Sequence, residues 1–124
     1  MKLSGLEAIV LAGVLATAVS GCRPSQAPSP LVGDPDRGAV LIGRQACGAC
    51  HEIPHIPRAD GRVGPPLKGV GGRTIIAGYL PNTPDNLVRW IQSPQTIAPG
   101  NAMPNMGLSD RDARDIAAFL DTLR

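Results

Sequence analysis

A short run of residues, Cys47-Gly48-Ala49-Cys50-His51, constrains this chain more than any other feature of its sequence. Two thiols three positions apart, with an imidazole directly after the second, form the attachment pattern of a c-type haem. Both thiols add to vinyl groups of the haem as thioethers, and the imidazole becomes the proximal ligand of the iron. The motif therefore predicts one covalent haem c attached at Cys47 and Cys50, with His51 as an iron ligand.

The same thiols are compatible with two other kinds of site. A tetrahedral zinc site needs further ligands, and the chain offers only His55 and the distant Cys22, without a second cysteine pair. A redox dithiol of the thioredoxin type lies in a βαβ context, which this sequence does not suggest. Haem attachment is favoured over both because the chain also carries an export signal.

The export signal occupies residues 1–21 and is of the lipoprotein type. Lys2 gives it a positive start, and residues 8–20 are small and apolar. Its end, Val19-Ser20-Gly21-Cys22, is similar to the lipobox of bacterial lipoproteins, in which the cysteine is lipidated and becomes the mature N-terminus. An ordinary signal peptide and an uncleaved anchor are the alternatives. The apolar stretch is shorter than the roughly 20 residues that span a bilayer, which argues against the anchor. The lipobox lies at the expected distance from the N-terminus, which favours the lipoprotein over an ordinary signal peptide. We therefore expect lipidation at Cys22.

The remainder of the chain is divided into a tether and one domain. Residues 22–33 are rich in proline and serine and predict a semi-extended tether that begins at the lipidated Cys22. Residues 34–124 are enough for one small domain, which buries little of its own surface and gains core volume from a bound porphyrin. The net charge of +2, with no basic run or basic and aromatic patch, gives no sign of nucleic-acid binding.

Capping signals and helical periodicity predict an all-α domain without strands. The first helix opens at Asp34-Pro35 and runs to about Ala46. The second opens at Thr83-Pro84 and is ended by Pro94. The last opens at Ser109. Its apolar residues recur at helical spacing at Ala113, Ile116, Ala117, Leu120 and Leu123. The long loop rich in proline and glycine that follows His51 is expected to wrap around the cofactor.

In the order of its motifs, the chain resembles the class I monohaem cytochromes c of the bacterial periplasmic and lipoprotein type. The resemblance covers residues 33–124 and rests on three segments: the motif at 47–51, Gly64-Pro65-Pro66-Leu67, and Met103-Pro104 ahead of the final amphipathic helix. It implies a small cytochrome c fold, in which helices and long loops wrap around one covalently bound haem c.

The resemblance also implies roles for individual residues. Cys47 and Cys50 match the thioether positions, His51 matches the proximal ligand, and Met103 matches the distal iron ligand. The Pro65 carbonyl matches the acceptor that orients the proximal imidazole. The other positions implied at the haem are Leu67 on its face, Arg73 near a propionate, Trp90 beside the axial methionine, and Tyr79 and Asn101 as candidate propionate donors.

Several of these positions have plainer interpretations. Met106 is a rival of Met103 for the iron, because it lies only three residues further on. Trp90 is alternatively a core aromatic residue, and Arg73 a solvated loop charge. His55 is interpreted as an exposed loop residue and not as a ligand.

With both axial positions filled, the iron has no open site, and the predicted function is one-electron transfer and not catalysis. The resemblance implies redox protein partners, with a quinol–cytochrome c reductase as donor and a terminal oxidase as acceptor, on the periplasmic side of a bacterial membrane. Two alternatives are a tightly bound electron-input subunit of a terminal oxidase or periplasmic dehydrogenase, and a haem sensor or enzyme with a labile methionine ligand. A cationic surface that would steer an acidic partner is predicted from Arg37, Arg44, Arg58, Arg62, Lys68 and Arg73, which outnumber Glu52 and Asp60.

Overall fold

The computed structural model describes residues 32–124, whose α-helices are α1 (Pro35–Arg44), α2 (Pro84–Gln92), α3 (Pro94–Ile97) and α4 (Asp110–Thr122). Two short 3-10 helices, Cys47–Ala49 and Val70–Gly72, and two strands, β1 (Ile75–Ile76) and β2 (Leu80–Pro81), complete the elements of this range. The predicted signal peptide, the lipid site at Cys22 and the tether up to residue 31 lie outside the described residues. Within the described range, no helix has the length and apolar character to cross a membrane.

The three predicted helices begin at their predicted capping residues. Side-chain oxygens of Asp34, Thr83 and Ser109 accept backbone N–H hydrogen bonds from the first turns of α1, α2 and α4, at 3.0, 3.3 and 3.1 Å. These bonds satisfy amides that have no partner inside their own helix. Pro35 and Pro84 occupy the first helical positions of α1 and α2, where a missing N–H costs nothing.

One helix end differs from the prediction. Helix α1 ends at Arg44 and not near Ala46, because Ala46 has a left-handed φ of 54° that cannot continue a right-handed helix. The chain then enters the 3-10 helix that carries Cys47. Helix α2 ends at Gln92, in agreement with the predicted stop at Pro94. Pro94 is also the first residue of α3, a short helix that the sequence analysis did not predict.

Helices α1 and α4 pack closely against each other at Gly38. A Cβ atom at Gly38 would lie only 2.6 Å from the carbonyl carbon of Asp115, so only glycine allows this approach. Gly33, just before α1, approaches Arg114 in the same way, with 2.8 Å from its would-be Cβ to the carbonyl carbon. The end of the predicted tether is therefore already packed against the domain.

A charged cluster joins the same two helices. Arg37 of α1 forms ion pairs with Asp112 and Asp115 of α4. Asp115 is buried and also accepts the Asp34 N–H at 2.7 Å. The Asp34 N–H, together with Arg37, lowers the pKa of Asp115, and the Ser109 hydroxyl, together with Arg37, lowers the pKa of Asp112. Arg37 therefore bridges two helices, and the two carboxylates offset the charge that it would add to the predicted cationic docking surface.

The strands form a hairpin that the sequence analysis did not predict. Ile76 pairs with Leu80, and the turn residues Ala77 and Gly78 both have positive φ, 50° and 83°, as a type I′ turn requires. The Tyr79 N–H closes the turn on the Ile76 carbonyl at 2.9 Å. Each strand has two residues, which is too short for an alternating pattern to be recognised in the sequence.

Candidate functional site

A cavity of about 460 Å³ lies at the centre of the described domain, bounded by α1, the long loop, the hairpin and the segment before α4. This volume is within the roughly 300–1,000 Å³ typical of sites for small molecules and cofactors. Every site residue predicted inside the domain lines it: Cys47, Cys50, His51, Pro65, Leu67, Arg73, Tyr79, Trp90, Asn101 and Met103. His55 does not line the cavity and is exposed.

The two cysteines of the motif lie on a tight turn at the cavity wall. The N–H groups of Cys50 and His51 both donate to the Cys47 carbonyl, at 3.2 and 3.0 Å. Both thiols are free, and burial raises the pKa of the Cys47 thiol. Over residues 32–124, no three His, Cys, Asp or Glu side chains gather in an arrangement that could hold a metal ion.

The long loop after His51 folds back onto the motif through backbone hydrogen bonds. The Gly61 N–H donates to the Gly48 carbonyl at 3.0 Å, and the Gly64 N–H donates to the Cys50 carbonyl at 2.8 Å. The loop therefore forms a fixed wall of the cavity although most of it has no regular secondary structure.

The His51 imidazole is oriented by the backbone. Its Nδ1 lies 2.8 Å from the Pro65 carbonyl oxygen. Because a carbonyl only accepts, Nδ1 carries a hydrogen in this contact, and in the neutral imidazole the lone pair that a metal ion requires is then on Nε2. A Cβ atom at Gly64 would lie 2.6 Å from Nδ1 and 2.9 Å from Nε2, so glycine is required beside the ring. The arrangement holds the His51 ring at the cavity in one orientation.

Met103 lies in the loop between α3 and α4, where amide side chains hold its backbone. Its N–H donates to Asn101 Oδ1 at 2.8 Å, and its carbonyl accepts from Gln95 Nε2 at 2.7 Å. The same Nε2 donates to the Asn101 carbonyl at 2.8 Å, while Gln95 Oε1 accepts the Gly100 N–H at 2.9 Å. Met106 also lines the cavity, so the structure brings both candidate methionines to the site.

Two predicted propionate donors are bonded to backbone carbonyls in this structure. Arg73 Nη2 donates to the carbonyls of Pro66 and Lys68, at 2.6 and 3.1 Å. A guanidinium has five N–H donors, so Arg73 keeps others for an anionic group. Asn101 directs its amide nitrogen to the carbonyls of Pro94, at the start of α3, and of Ala98, just after α3, at 3.2 and 2.6 Å. In this structure Asn101 thus fastens the Met103 loop, because both of its N–H donors are used.

An aromatic pair forms another part of the cavity wall. The rings of Tyr79 and Trp90 stack with centroids 6.1 Å apart and planes 18° from parallel. Trp90 is half-buried on α2, whereas Tyr79 is 60% exposed next to the hairpin turn. The stack therefore joins the hairpin to α2 and extends the apolar wall to the protein surface.

Asn82 and Gln95 hold the loops around the cavity, and the sequence analysis identified neither of them. Asn82 lines the cavity and donates to the carbonyls of Val70 and Arg73, at 2.9 and 2.8 Å. Neither amide belongs to a motif, and the partners of both become apparent only when the loops are folded. The loop ahead of the final helix, with Pro104 directly after Met103, was the available signal, and it pointed to Met103, Met106 and Asn101 but not to Gln95 or Asn82.

The family of the chain follows from comparison with known proteins. The family model for cytochrome c matches residues 35–124. The chain belongs to the cytochrome c family. It is 38% identical over 106 residues to cytochrome c2 from Rhodopila globiformis, covering 74% of this chain and 95% of that protein. Members of this family are electron carriers that bind haem.

A second kind of relative is a subunit of an enzyme complex. This cytochrome is 33% identical over 90 residues to cytochrome c oxidase subunit 2 from Alkalihalophilus pseudofirmus, covering 72% of this chain and 25% of that subunit. The chain thus spans about a quarter of the length of the oxidase subunits that it matches.

Solved structures agree on the fold. Cytochrome c2 from Paracoccus denitrificans superposes with a TM-score of 0.55 at 23% identity, covering 73% of this cytochrome and 96% of that chain. SoxXA from P. pantotrophus gives a TM-score of 0.59 at 24% identity, covering 79% of this cytochrome and 84% of that chain. The predicted small all-α cytochrome c fold and the predicted membership in the class I monohaem cytochromes c are confirmed.

Proposed function

We propose that this cytochrome is a one-electron carrier with one covalently attached haem c, whose iron is bound by His51 and Met103. The central cavity fits such a group, because it is mainly apolar and is lined by both motif thiols. When bound, the haem supplies exchange of single electrons between ferric and ferrous iron. The observation that carries the proposal is the His51–Pro65 hydrogen bond, because it leaves Nε2 free at a cavity that Met103 also lines.

The protein residues have distinct tasks in this proposal. Cys47 and Cys50 attach the haem through thioethers, and the Pro65 carbonyl keeps the His51 ring in one orientation. Leu67, Trp90 and the other apolar wall residues exclude water from the haem. Arg73 pairs with a propionate through N–H groups that Pro66 and Lys68 do not use. Tyr79 and Asn101 complete the wall at the haem edge.

Two protein ligands on the iron separate a carrier from a haem enzyme or sensor. A neutral thioether opposite an imidazole raises the reduction potential and occupies the position that a substrate would need. Carbon monoxide added to the reduced protein tests this point, because a carrier binds it slowly at neutral pH. Rapid binding would instead support a haem sensor or enzyme with a labile methionine ligand.

Spectroscopy of the matured protein tests the ligand assignment. The oxidised wild type should show the methionine–iron charge-transfer band, Met103→Ala should lose it, and Met106→Ala, the matched control, should keep it. Retention of the band in Met103→Ala would move the assignment to Met106. Colourless protein, or haem that acid–acetone extracts, would overturn the whole proposal.

We propose a redox protein as the partner, steered by charge to the surface around the cavity. Val63, Ile75 and Tyr79 line the cavity and are 73%, 47% and 60% exposed, which supports an apolar contact patch at that place. Exposed Lys68 and Arg73 lie nearby in sequence and favour an acidic partner. A quinol–cytochrome c reductase and a terminal oxidase are the proposed donor and acceptor. Electron-transfer rates with either partner should fall as ionic strength rises.

The proposed location is the periplasmic side of a bacterial membrane, with lipid on Cys22 as the anchor. Bacterial relatives of this family support an extracytoplasmic location, and the sequence at residues 19–22 supports lipidation. Membrane fractionation of the wild type and Cys22→Ala tests the anchor. Loss of membrane association in the variant is the expected result, and unchanged association would exclude Cys22 as the anchor.

A second candidate function is a tightly bound electron-input subunit. The match to cytochrome c oxidase subunit 2 favours it, because a similar domain there forms part of a larger subunit. Purification in detergent discriminates between the two candidates. A stoichiometric partner that stays bound supports the subunit, and its absence supports the separate carrier.

A further inference from the structure

We propose that Gln95 is the positioning residue that holds Met103 at the haem iron; this inference rests on the proposed role of Met103 as the distal ligand. Gln95 is the second residue of α3 and is half-buried. Its carbonyl oxygen accepts the Gly100 N–H at 2.9 Å, and its amide nitrogen donates to the carbonyls of Asn101 and Met103, at 2.8 and 2.7 Å. One side chain thus binds three points of the loop.

The Gln95 contacts lie on both sides of Met103 along the chain. Gly100 and Asn101 precede the methionine, and the Gln95 backbone N–H donates to Asn105 Oδ1 beyond it, at 3.2 Å. No regular secondary structure occurs between the end of α3 and the start of α4 within the described domain. Apart from the Asn101 N–H bond to the Ala98 carbonyl, the loop is therefore held by side chains, and Gln95 and Asn101 contribute three side-chain bonds each.

Both backbone polar groups of Met103 are held by side-chain amides. Its carbonyl accepts from Gln95, and its N–H donates to Asn101 Oδ1 at 2.8 Å. Asn101 is itself bound to Gln95 through its carbonyl. Removal of the Gln95 side chain therefore loosens the Met103 carbonyl directly and the Met103 N–H through Asn101.

Loss of these bonds should favour the open loop, in which the methionine has left the iron. A thioether is a neutral ligand, so its occupancy of the iron depends on how often the loop presents it. The loss of a partly buried hydrogen bond changes an equilibrium by about a factor of ten. We therefore expect Gln95→Ala to raise the population of the open loop about tenfold.

Three measurements on the matured holoprotein report that population. Carbon monoxide should bind reduced Gln95→Ala about tenfold faster than wild type. The pH at which the methionine–iron band of the oxidised protein disappears should fall by about one unit. Loss of the methionine at high pH releases one proton, so a tenfold larger equilibrium constant for that loss lowers its midpoint by about one pH unit. Hydrogen exchange of the Gly100 amide should also be about tenfold faster, independently of redox chemistry.

Gln95→Glu is the second variant. Its carboxylate can accept the Gly100 N–H but cannot donate to the Asn101 and Met103 carbonyls, so it should shift the band and the carbon monoxide rate in the same direction as Gln95→Ala. If Gln95→Ala does not incorporate haem, Gln95→Glu still tests the positioning role of Gln95. Gln92→Ala is the matched control, because the Gln92 side chain makes no hydrogen bond within the described residues, and it should behave as wild type.

The outcomes separate this inference from the ligand assignment. Wild-type carbon monoxide rates and wild-type band midpoints in both Gln95 variants would overturn the role of Gln95, and so would an equal change in Gln92→Ala. If Met103→Ala loses the band while the Gln95 variants are unchanged, only the present inference fails. If Met103→Ala keeps the band, the assignment of Met103 fails, and this inference fails with it.

Discussion

The two sides of the haem cavity hold their candidate ligands in different ways. On one side, the backbone acts on the ligand itself: the Pro65 carbonyl binds the His51 ring, and the glycine backbone at Gly64 lies against it. On the other side, side chains act on the ligand's backbone, since Gln95 and Asn101 hold the main chain of Met103. Within the described residues, the hydrogen bonds of Met103 involve its backbone and not its side chain.

This difference indicates which side is rigid. A backbone carbonyl anchored by the loop's own backbone bonds moves only if the loop unfolds, whereas an amide side chain can change rotamer. The His51 side should therefore stay intact under conditions that release Met103. Each of the following predictions changes one part of the molecule: the contact between α1 and α4, the His51 side or the Met103 side. They begin with the largest expected effect.

The largest effect is expected from Gly38→Ala, which disrupts the packing of α1 against α4 on which both sides of the cavity depend. The added methyl group would overlap the Asp115 carbonyl of α4, and backbone cannot move aside as a flexible side chain can. We expect a loss of about 3 kcal/mol in the free energy of unfolding. The control Gly43→Ala lies in the same helix with open space around it and should instead gain up to about 1 kcal/mol. Denaturant unfolding measures both, and equal stabilities would contradict the close helix contact.

A somewhat smaller effect is expected from Gly64→Ala, which changes only the His51 side of the cavity. Its methyl group would overlap the imidazole, and moving the ring breaks the hydrogen bond to Pro65. We expect about 2 kcal/mol of destabilisation and a lower fraction of haem-loaded protein. Gly72→Ala is the control, because a methyl group there meets nothing within 4 Å. Haem content per protein, measured by absorbance, should fall for Gly64→Ala and stay unchanged for Gly72→Ala.

Asn101→Ala weakens the Met103 side of the cavity and should leave the His51 side intact. It removes the acceptor of the Met103 N–H and the two bonds that tie the loop to the carbonyls of Pro94 and Ala98. We expect about 1 kcal/mol less stabilisation of the closed loop, seen as faster carbon monoxide binding and a weaker methionine–iron band. Haem content should remain at the wild-type level. A fall in haem content as large as that of Gly64→Ala would show that the two sides are not independent.

The same contrast determines how much the sequence could predict. The His51 side is encoded by contiguous motifs, and the helix starts are encoded by local caps such as Ser109, so both could be read from neighbouring residues. The end of α1 could not, because nothing local marks the left-handed backbone of Ala46. Gln95 could not either, because its partners are carbonyls placed by the fold of a loop without periodicity.

Charges were equally hard to interpret from the sequence. Arg37 belongs to a set of basic residues that suggested a docking surface. Nothing in the sequence around Arg37 indicated that it has acidic partners within the domain. Its partners Asp112 and Asp115 lie more than 70 positions away along the chain. Only the close approach of α1 to α4, which Gly38 permits, brings the three residues together.

The smallest effect concerns the pH dependence of this charged cluster. The folded-state pKa values of Asp112 and Asp115 are lowered, chiefly by the Ser109 hydroxyl and the Asp34 N–H, and in both cases also by Arg37. A carboxyl group with a lowered pKa stabilises the fold at pH values above its unfolded pKa, which is about 3.9 for aspartate. This stabilisation should therefore be lost as the pH falls below about 4.

Asp115→Asn tests the charged cluster and also compares it with the Met103 side. The variant should be less stable than wild type at neutral pH, and its stability should fall less steeply between about pH 4 and pH 2. Denaturant unfolding at several pH values measures the slope, and equal slopes would exclude a role for Asp115. The methionine–iron band, followed in the same samples, should disappear before the helical circular dichroism does. That order is expected because the Met103 loop is fastened by side chains, while α1 and α4 are joined by both backbone packing and charge.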